Sequence, residues 1–414
     1  MKFHLDPVIS SRIRDAWAAL SPDERNRIAP LLAKANQQAL AVSQTRTVPL
    51  DATVPRQALF ARSAISGDRE PVVANLAASI VIGVGAGGEI WGTGKYEQLD
   101  AGWEESIAVW LENLISGKNP FNGGPPALIT MPAQVRMALA GDWGTGDWRS
   151  EANPAPSTDV ARHIRFLEPH YTIHLGDVYY AGTTDEEQHL LVKLWPSGQL
   201  GAFALNSNHE MYSGAKAYFQ KALGSQLFAI QKGCSFFALE NSHWVIVGLD
   251  SAYYSDAEGL YLDGSLSLAQ GPSLQVDFLR AQAAKRKKVI VLTHHNGLSE
   301  DGLTETRLWW EVMSAFPQGS GPAYWYWGHV HAGAVYKPYG PAQVLCRCCG
   351  HGGIPWGEAA MLKDSPNVAW YENRSANDPE IPERVLNGFT LLELDGPSLT
   401  EIFYDENGGI AWQS

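Results

Sequence analysis

Apolar positions along this 414-residue chain follow two different periods. Behind Ser21-Pro22-Asp23-Glu24, a capping serine with proline at the first helical position, Ile28, Leu31, Leu32 and Ala35 recur at helical spacing. Ile107, Trp110, Leu111 and Leu114 repeat that spacing behind Glu104 and Glu105, with Gly117 where the helix should stop. Further on, short apolar runs such as Val289 to Leu292 alternate with helical patterns at Thr158 to Leu167 and Leu274 to Lys285, as in an α/β sheet protein. Pro120-Phe-Asn-Gly-Gly-Pro-Pro126 separates the two regimes, because these residues continue neither a helix nor a central strand. The expected division is a mostly helical N-terminal extension over residues 1–126 and an α/β unit over residues 127–414. The basic run Lys285-Arg-Lys-Lys288 reads as the solvated end of a helix before the next strand.

Val72 to Gly88 carries no charge, yet it is short for a bilayer span and interrupted by glycines, so it reads as buried core. Its Gly83-Val-Gly85-Ala-Gly87-Gly88 matches GxGxxG, but Glu89-Ile-Trp-Gly-Thr-Gly is a poor helix start. A glycine-rich turn is expected there in place of a dinucleotide fingerprint. Lys and Arg number 31 against 44 Asp and Glu, and the resulting net charge of −13 has the wrong sign for holding nucleic acid or an anionic membrane. The start reaches Asp6, Arg12 and Arg14 before an apolar stretch forms, so no secretory signal and a cytoplasmic location are expected. Cys234, Cys346, Cys348 and Cys349 exclude a disulfide scaffold, since three of them crowd one short stretch.

One arrangement recurs at five strand ends. Met137-Ala-Leu-Ala runs into Gly141-Asp142, Tyr171-Thr-Ile-His-Leu into Gly176-Asp177, and Ala202-Phe-Ala-Leu into Asn206-Ser-Asn208-His209-Glu210. Val289-Ile-Val-Leu-Thr runs into His294-His295, and Tyr324-Trp-Tyr-Trp into Gly328-His329-Val-His331. A single Asp or His at a strand end is most simply a turn residue or a satisfied core histidine. Five such ends, all carrying oxygen or nitrogen ligands for hard or borderline metals, point instead to a shared site beyond the carboxyl ends of the strands.

The series GD, GDxxY, NHE, VxxH and GHxH resembles the calcineurin-like metallophosphoesterase superfamily, in a variant similar to purple acid phosphatases, over about residues 132 to 405. Asn387-Gly-Phe-Thr-Leu-Leu-Glu-Leu-Asp395 resembles the late strand of that fold. The resemblance implies a four-layer αββα sandwich. It also implies two metal ions, iron with a divalent partner (iron, zinc or manganese). One would be held by Asp142, Asp177, Tyr180 and His331, the other by Asp177, Asn208, His294 and His329, with Asp177 bridging. Most of the superfamily opens with DxH, whereas Gly144 stands two after Asp142, and Tyr180 stands where purple acid phosphatases supply a phenolate. Two carboxylates, a phenolate and a hydroxide would leave an Fe³⁺/M²⁺ pair at about +1, enough to attract phosphate to an acidic protein. A further departure is Ser207, where the family writes glycine before NHE.

His209 resembles the family histidine over the phosphate and leaving group, and His295 follows a ligand directly, so both are candidate proton donors. Cys346 and Cys348 share one strand face and Cys349 the other, so the three do not converge on zinc and read as core. His351 lies in a glycine-rich turn near the site, and Trp143, Trp309, Trp310, Trp325, Trp327 and Trp356 are burial candidates, a few of them suited to a pocket rim. The expected activity is metal-assisted hydrolysis of a small-molecule phosphate monoester. A phosphodiesterase acting on substrates including cyclic nucleotides is the alternative within enzymes, and a non-catalytic scaffold on the same fold is the alternative outside them.

Overall fold

The computed structural model describes residues 6–45, 81–84, 90–92 and 102–414, apart from 145, 147–148, 269–271, 356–359 and 382–383. Helix α1 (Pro7–Ala19) is capped by Asp6, whose carboxylate accepts from the N–H groups of Val8 and Ile9. The capping signature at Ser21 is realised in both directions at the start of α2 (Pro22–Thr45). The Glu24 N–H donates to Ser21 Oγ at 3.2 Å, and the Ser21 N–H donates to Glu24 Oε2 at 2.7 Å. Helix α3 (Gly102–Ser116) buries Trp103, Ile107, Trp110 and Leu111, the stripe its periodicity predicts. It docks on α1 through Ser10 Oγ to Glu104 Oε1 at 2.6 Å and a two-point Arg12–Glu112 pair at 2.8 and 2.9 Å. Strands β1 (Val81–Val84) and β2 (Ile90–Gly92) pair antiparallel; Gly83 of the glycine run lies in β1, while its remainder from Gly85 to Gly88, and Trp356, lie outside the described residues.

Residues from 127 onward form two further sheets. One has six strands in the order β16-β15-β14-β4-β5-β6, built from β4 (Gln134–Ala140), β5 (Tyr171–His174), β6 (Gly201–Ala204), β14 (Gly388–Asp395), β15 (Ser398–Asp405) and β16 (Ile410–Gln413). The other has eight, in the order β13-β11-β12-β10-β9-β8-β7-β3. Its members are β3 (Ala127–Thr130), β7 (Phe237–Glu240), β8 (Trp244–Gly248), β9 (Lys288–Leu292), β10 (Tyr324–Trp327), β11 (Gly333–Tyr336), β12 (Leu345–Cys349) and β13 (Val368–Tyr371). Strands β4, β5 and β6 run parallel, as do β8, β9, β10 and β12, so their carboxyl ends gather at common edges.

Side-chain alternation builds the layers. Met137 and Leu139 of β4 face the interior between the sheets, packing with Ile173, Phe203, Phe237, Ile290 and Tyr326. Their neighbours Ala138 and Ala140 face outward under α1, α3 and α4 (Pro156–Leu167), where Ile13, Trp103, Ile107, Val160 and Ile164 share one core. On the far side, Trp325 and Trp327 of β10 pack beneath α6 (Leu274–Ala283) and α7 (Arg307–Met313) with Leu279, Leu308 and Val312. The result is the four-layer αββα sandwich. Cys346 and Cys348 join the outer core and Cys349 the inner one, as period-two geometry requires.

A buried ion pair crosses the interior. Glu401 of β15 receives Arg347 of β12 at 2.7 and 2.8 Å and the Tyr326 hydroxyl of β10 at 2.6 Å. A forked guanidinium on a carboxylate satisfies both buried charges and gives the pairing a direction that apolar packing lacks. Among the described residues, no helix is long and apolar enough to cross a membrane.

Candidate metal centre

Each expected ligand leaves a strand at the same edge. Asp142 follows β4, Asp177 follows β5, and Asn208 opens the short helix α5 (Asn208–Tyr212) after β6. His294 follows β9, and His329 and His331 follow β10. The six-stranded sheet therefore contributes the oxygens and the eight-stranded sheet the imidazoles. Glycines allow the approach: a Cβ on Gly328 would stand 2.7 Å from Asp142 Oδ2, and one on Gly176 (φ 105°) 2.7 Å from His294 Nδ1. Asp142, Asp177, His329 and His331 themselves adopt left-handed φ of 57°, 75°, 68° and 51°. Each such residue costs roughly 1–2 kcal/mol, a strain that the surrounding fold must hold in place.

The donors fall into two groups. In the first, His331 Nε2 stands 3.3 Å from Asp142 Oδ1 and 3.7 Å from Asp177 Oδ2, and both of those buried oxygens lack a hydrogen-bond partner. In the second, His294 Nε2 stands 3.2 Å from Asp177 Oδ1, 2.9 Å from Asn208 Oδ1 and 3.2 Å from His329 Nδ1. His294 Nδ1 donates to the Leu175 carbonyl at 2.8 Å, so Nε2 of the neutral ring carries a lone pair. Asn208 is oriented by its amide donating to the Tyr212 hydroxyl at 3.2 Å, which turns Oδ1 inward. In the second group lone pairs thus face lone pairs, an arrangement that repels unless a cation lies among them. The donor set fits a pair of metal ions.

Electrostatics point the same way. Burial pushes the Asp142 carboxyl well above its usual range, with the charge of Asp177 adding to it, and raises Asp177 to about 6. Burial also pushes His329 down to about 4 and His294 well below the ordinary imidazole value. Carboxylates driven up and imidazoles driven down are what desolvation does to a ligand set without positive charge.

The two candidate proton donors are placed differently. His209 donates from Nδ1 to the Tyr180 carbonyl at 2.7 Å and lies against the rings of Tyr179, at a centroid distance of 3.8 Å, and Tyr212 at 4.9 Å. His295 has both nitrogens committed, Nε2 to the Tyr261 carbonyl at 2.8 Å and Nδ1 to Ser251 Oγ at 2.9 Å, while its ring packs 4.7 Å from that of His329. Both ring nitrogens of His295 are thus engaged within the chain, and its ring lies against that of His329. The ring of Tyr180 packs 5.2 Å from that of Trp103, and a Cβ on Gly102 would run into it. The phenol found 2.6 Å from His331 Nε2 belongs to Tyr179.

Ser207 supports the bridge. Its hydroxyl lies 2.6 Å from Asp177 Oδ1 and also touches Glu210 Oε2, and it has one proton to give. Burial, with the charge of Asp177, pushes the Glu210 carboxyl up to about 8, and the Ser207 hydroxyl links it to Asp177. Ser251 carried no sequence signal, and Glu210 entered only as the last residue of NHE. His351 is buried with neither ring nitrogen hydrogen-bonded, and its pKa is driven by burial to about 3. Trp143, Trp309, Trp325 and Trp327 are buried, whereas Trp310 is exposed.

Residues 135–333 match the model of the calcineurin-like phosphoesterase family. This part of the chain belongs to that family. Its members act on phosphate esters at a dinuclear metal centre. No curated protein matches the chain significantly. Among solved structures, an anchor in the inner membrane complex of Plasmodium is 13% identical, with a TM-score of 0.47, covering 68% of this chain and 88% of that chain. A purple acid phosphatase from yellow lupin (Lupinus luteus) seeds is 13% identical with a TM-score of 0.46, covering 71% and 54% respectively. A dimetal phosphatase from Danio rerio is 13% identical with a TM-score of 0.40, covering 66% and 95%.

Proposed function

We propose that this phosphoesterase hydrolyses small phosphate monoesters at a dinuclear centre of the purple acid phosphatase kind, carried by residues 127–414 with residues 1–126 as an N-terminal extension. The observation that carries the reading is the set of inward lone pairs: His294 Nε2 against Asp177 Oδ1 and Asn208 Oδ1, and the unpartnered Asp142 Oδ1 and Asp177 Oδ2 against His331.

Asp142, Asp177 and His331 would hold one ion and Asp177, Asn208, His294 and His329 the other, iron with a divalent partner such as iron, zinc or manganese. Bound there, the ions supply Lewis acidity toward phosphoryl oxygens and acidify water. The chain supplies the rest. Asp177 spans both positions because its two oxygens face different donor groups. His209, its tautomer set by the Tyr180 carbonyl, takes a proton on Nε2 and gives it to the departing alkoxide. His295 keeps the His329 ring in place. The net charge of −13 disfavours nucleic acid as substrate.

Elemental analysis of the purified protein, with hydrolysis of nitrophenyl phosphate and bis-nitrophenyl phosphate compared, tests the reading. Two metals per chain and preference for the monoester are expected, and Asp177→Ala should lose both metals together with activity. Full activity of Asp177→Ala at two metals per chain would refute the dinuclear assignment, and preference for the diester would replace monoesterase by diesterase.

A further inference from the structure

Resting on that dinuclear reading, we propose that Tyr179, rather than the Tyr180 that motif spacing selects, completes the first metal position through its phenol oxygen, beside Asp142, Asp177 and His331. Tyr179 Oη stands 2.6 Å from His331 Nε2 and within hydrogen-bonding reach of Asp177. The same His331 nitrogen faces Asp142 Oδ1 and Asp177 Oδ2, both buried and without hydrogen-bond partners. The phenol has one proton to share between His331 and Asp177, too few donors for a nitrogen and two buried carboxylate oxygens, and each oxygen left unsatisfied costs about 1–3 kcal/mol or more. A cation shared by all four atoms satisfies every one of them.

The ring is fixed for this role. Tyr179 is fully buried, with the His209 ring at 3.8 Å and the Trp103 ring at 5.4 Å, and its N–H donates to the Gly144 carbonyl at 3.1 Å. Gly144 is the position that brings no imidazole, so the chain lacks a side-chain donor on the strand segment bonded to Tyr179. Tyr180 serves through its backbone: its carbonyl holds His209 Nδ1, its N–H is held by Glu186, and its ring packs beside Trp103. A phenol oxygen is a hard donor, and the position it completes suits a hard, highly charged cation, ferric iron above zinc.

The test uses full-length wild type, Tyr179→Phe and Tyr180→Phe, each loaded with ferric iron and zinc, with folding checked by circular dichroism. A phenol bound to ferric iron gives a visible ligand-to-metal charge-transfer band, a readout independent of turnover. Wild type and Tyr180→Phe should show the band. Tyr179→Phe should lack it and should bind iron on the order of 10- to 100-fold more weakly in chelator competition. A band that survives in Tyr179→Phe, or disappears in Tyr180→Phe, overturns the assignment, and the second result does so even if Tyr179→Phe fails to fold. A wild-type protein that binds two ions without the band overturns it while leaving the dinuclear reading intact. Failure of the wild type to bind metal at all would remove the dinuclear reading itself.

Discussion

The ring of Trp103 lies 5.7 Å from that of His209, between centroids, so a residue of the N-terminal helix α3 forms part of the wall on which the proposed proton donor rests. Asn113 of the same helix donates to the Met211 carbonyl of α5 at 3.3 Å, tying α3 to the element that carries Asn208 and His209. Trp103→Ala should destabilise the fold by about 3–5 kcal/mol through the cavity it leaves. Trp103→Phe should fold and keep its metals while losing roughly 10-fold or more in kcat, because small misplacements of a reacting group are costly. Unchanged kcat in a metal-replete Trp103→Phe would reduce α3 to packing.

An alkyl ester needs a proton for its leaving group, whereas nitrophenolate departs without one. His209→Ala should therefore lower kcat/KM for an alkyl phosphate by about 10²–10⁴-fold and for nitrophenyl phosphate far less. Equal losses on both, at matched metal content, would mean that His209 binds phosphate or supports Asn208 instead.

Removing the Ser207 hydroxyl breaks the link between the side chains of Glu210 and Asp177. Ser207→Ala should bind metal on the order of 10-fold more weakly, as loss of a group orienting a ligand does. Chelator competition at neutral pH measures this, and an unaltered affinity would show that Asp177 is held by its backbone alone.

Burial pushes His174 and His351 down to about 3, from an ordinary 6.5. Below pH 6.5 the unfolded chain takes up protons that the native fold refuses. The stability tied to these rings is thus fully present above pH 6.5 and falls as pH drops toward 3, by about 1.4 kcal/mol per pH unit for each ring. His351→Leu should flatten the dependence of unfolding free energy on pH between 4 and 6 by one such slope. Urea titrations across that window decide the matter; parallel curves for the two proteins would mean that His351 is protonated in the native state.

Period-two and helical patterns predicted most elements because burial alternates wherever a sheet has two covered faces: the split of Trp325 from Tyr326 and of Cys348 from Cys349 is readable from spacing. The convergence of Asp142, Asp177, Asn208, His294, His329 and His331 was legible for the same reason, since parallel strands deliver their last residues to one edge. Which of two adjacent tyrosines turns inward was not legible, because it depends on the rings of Trp103 and His209, far apart in the chain. The commitment of His295 to Ser251 and Tyr261 was equally hidden, as both partners lie in loops more than thirty residues away.

The carboxylates and the amide belong to one sheet and the imidazoles to the other, so each proposed metal position draws ligands from both sheets. The contact of Glu401 with Arg347 and Tyr326 then acts as an alignment pin. Apolar layers tolerate sliding, but a forked ion pair has one register, and that register sets how far apart the two half-sites stand. The gauge of the proposed metal centre is cut in the middle of the sandwich, in a salt bridge that includes none of the proposed ligands.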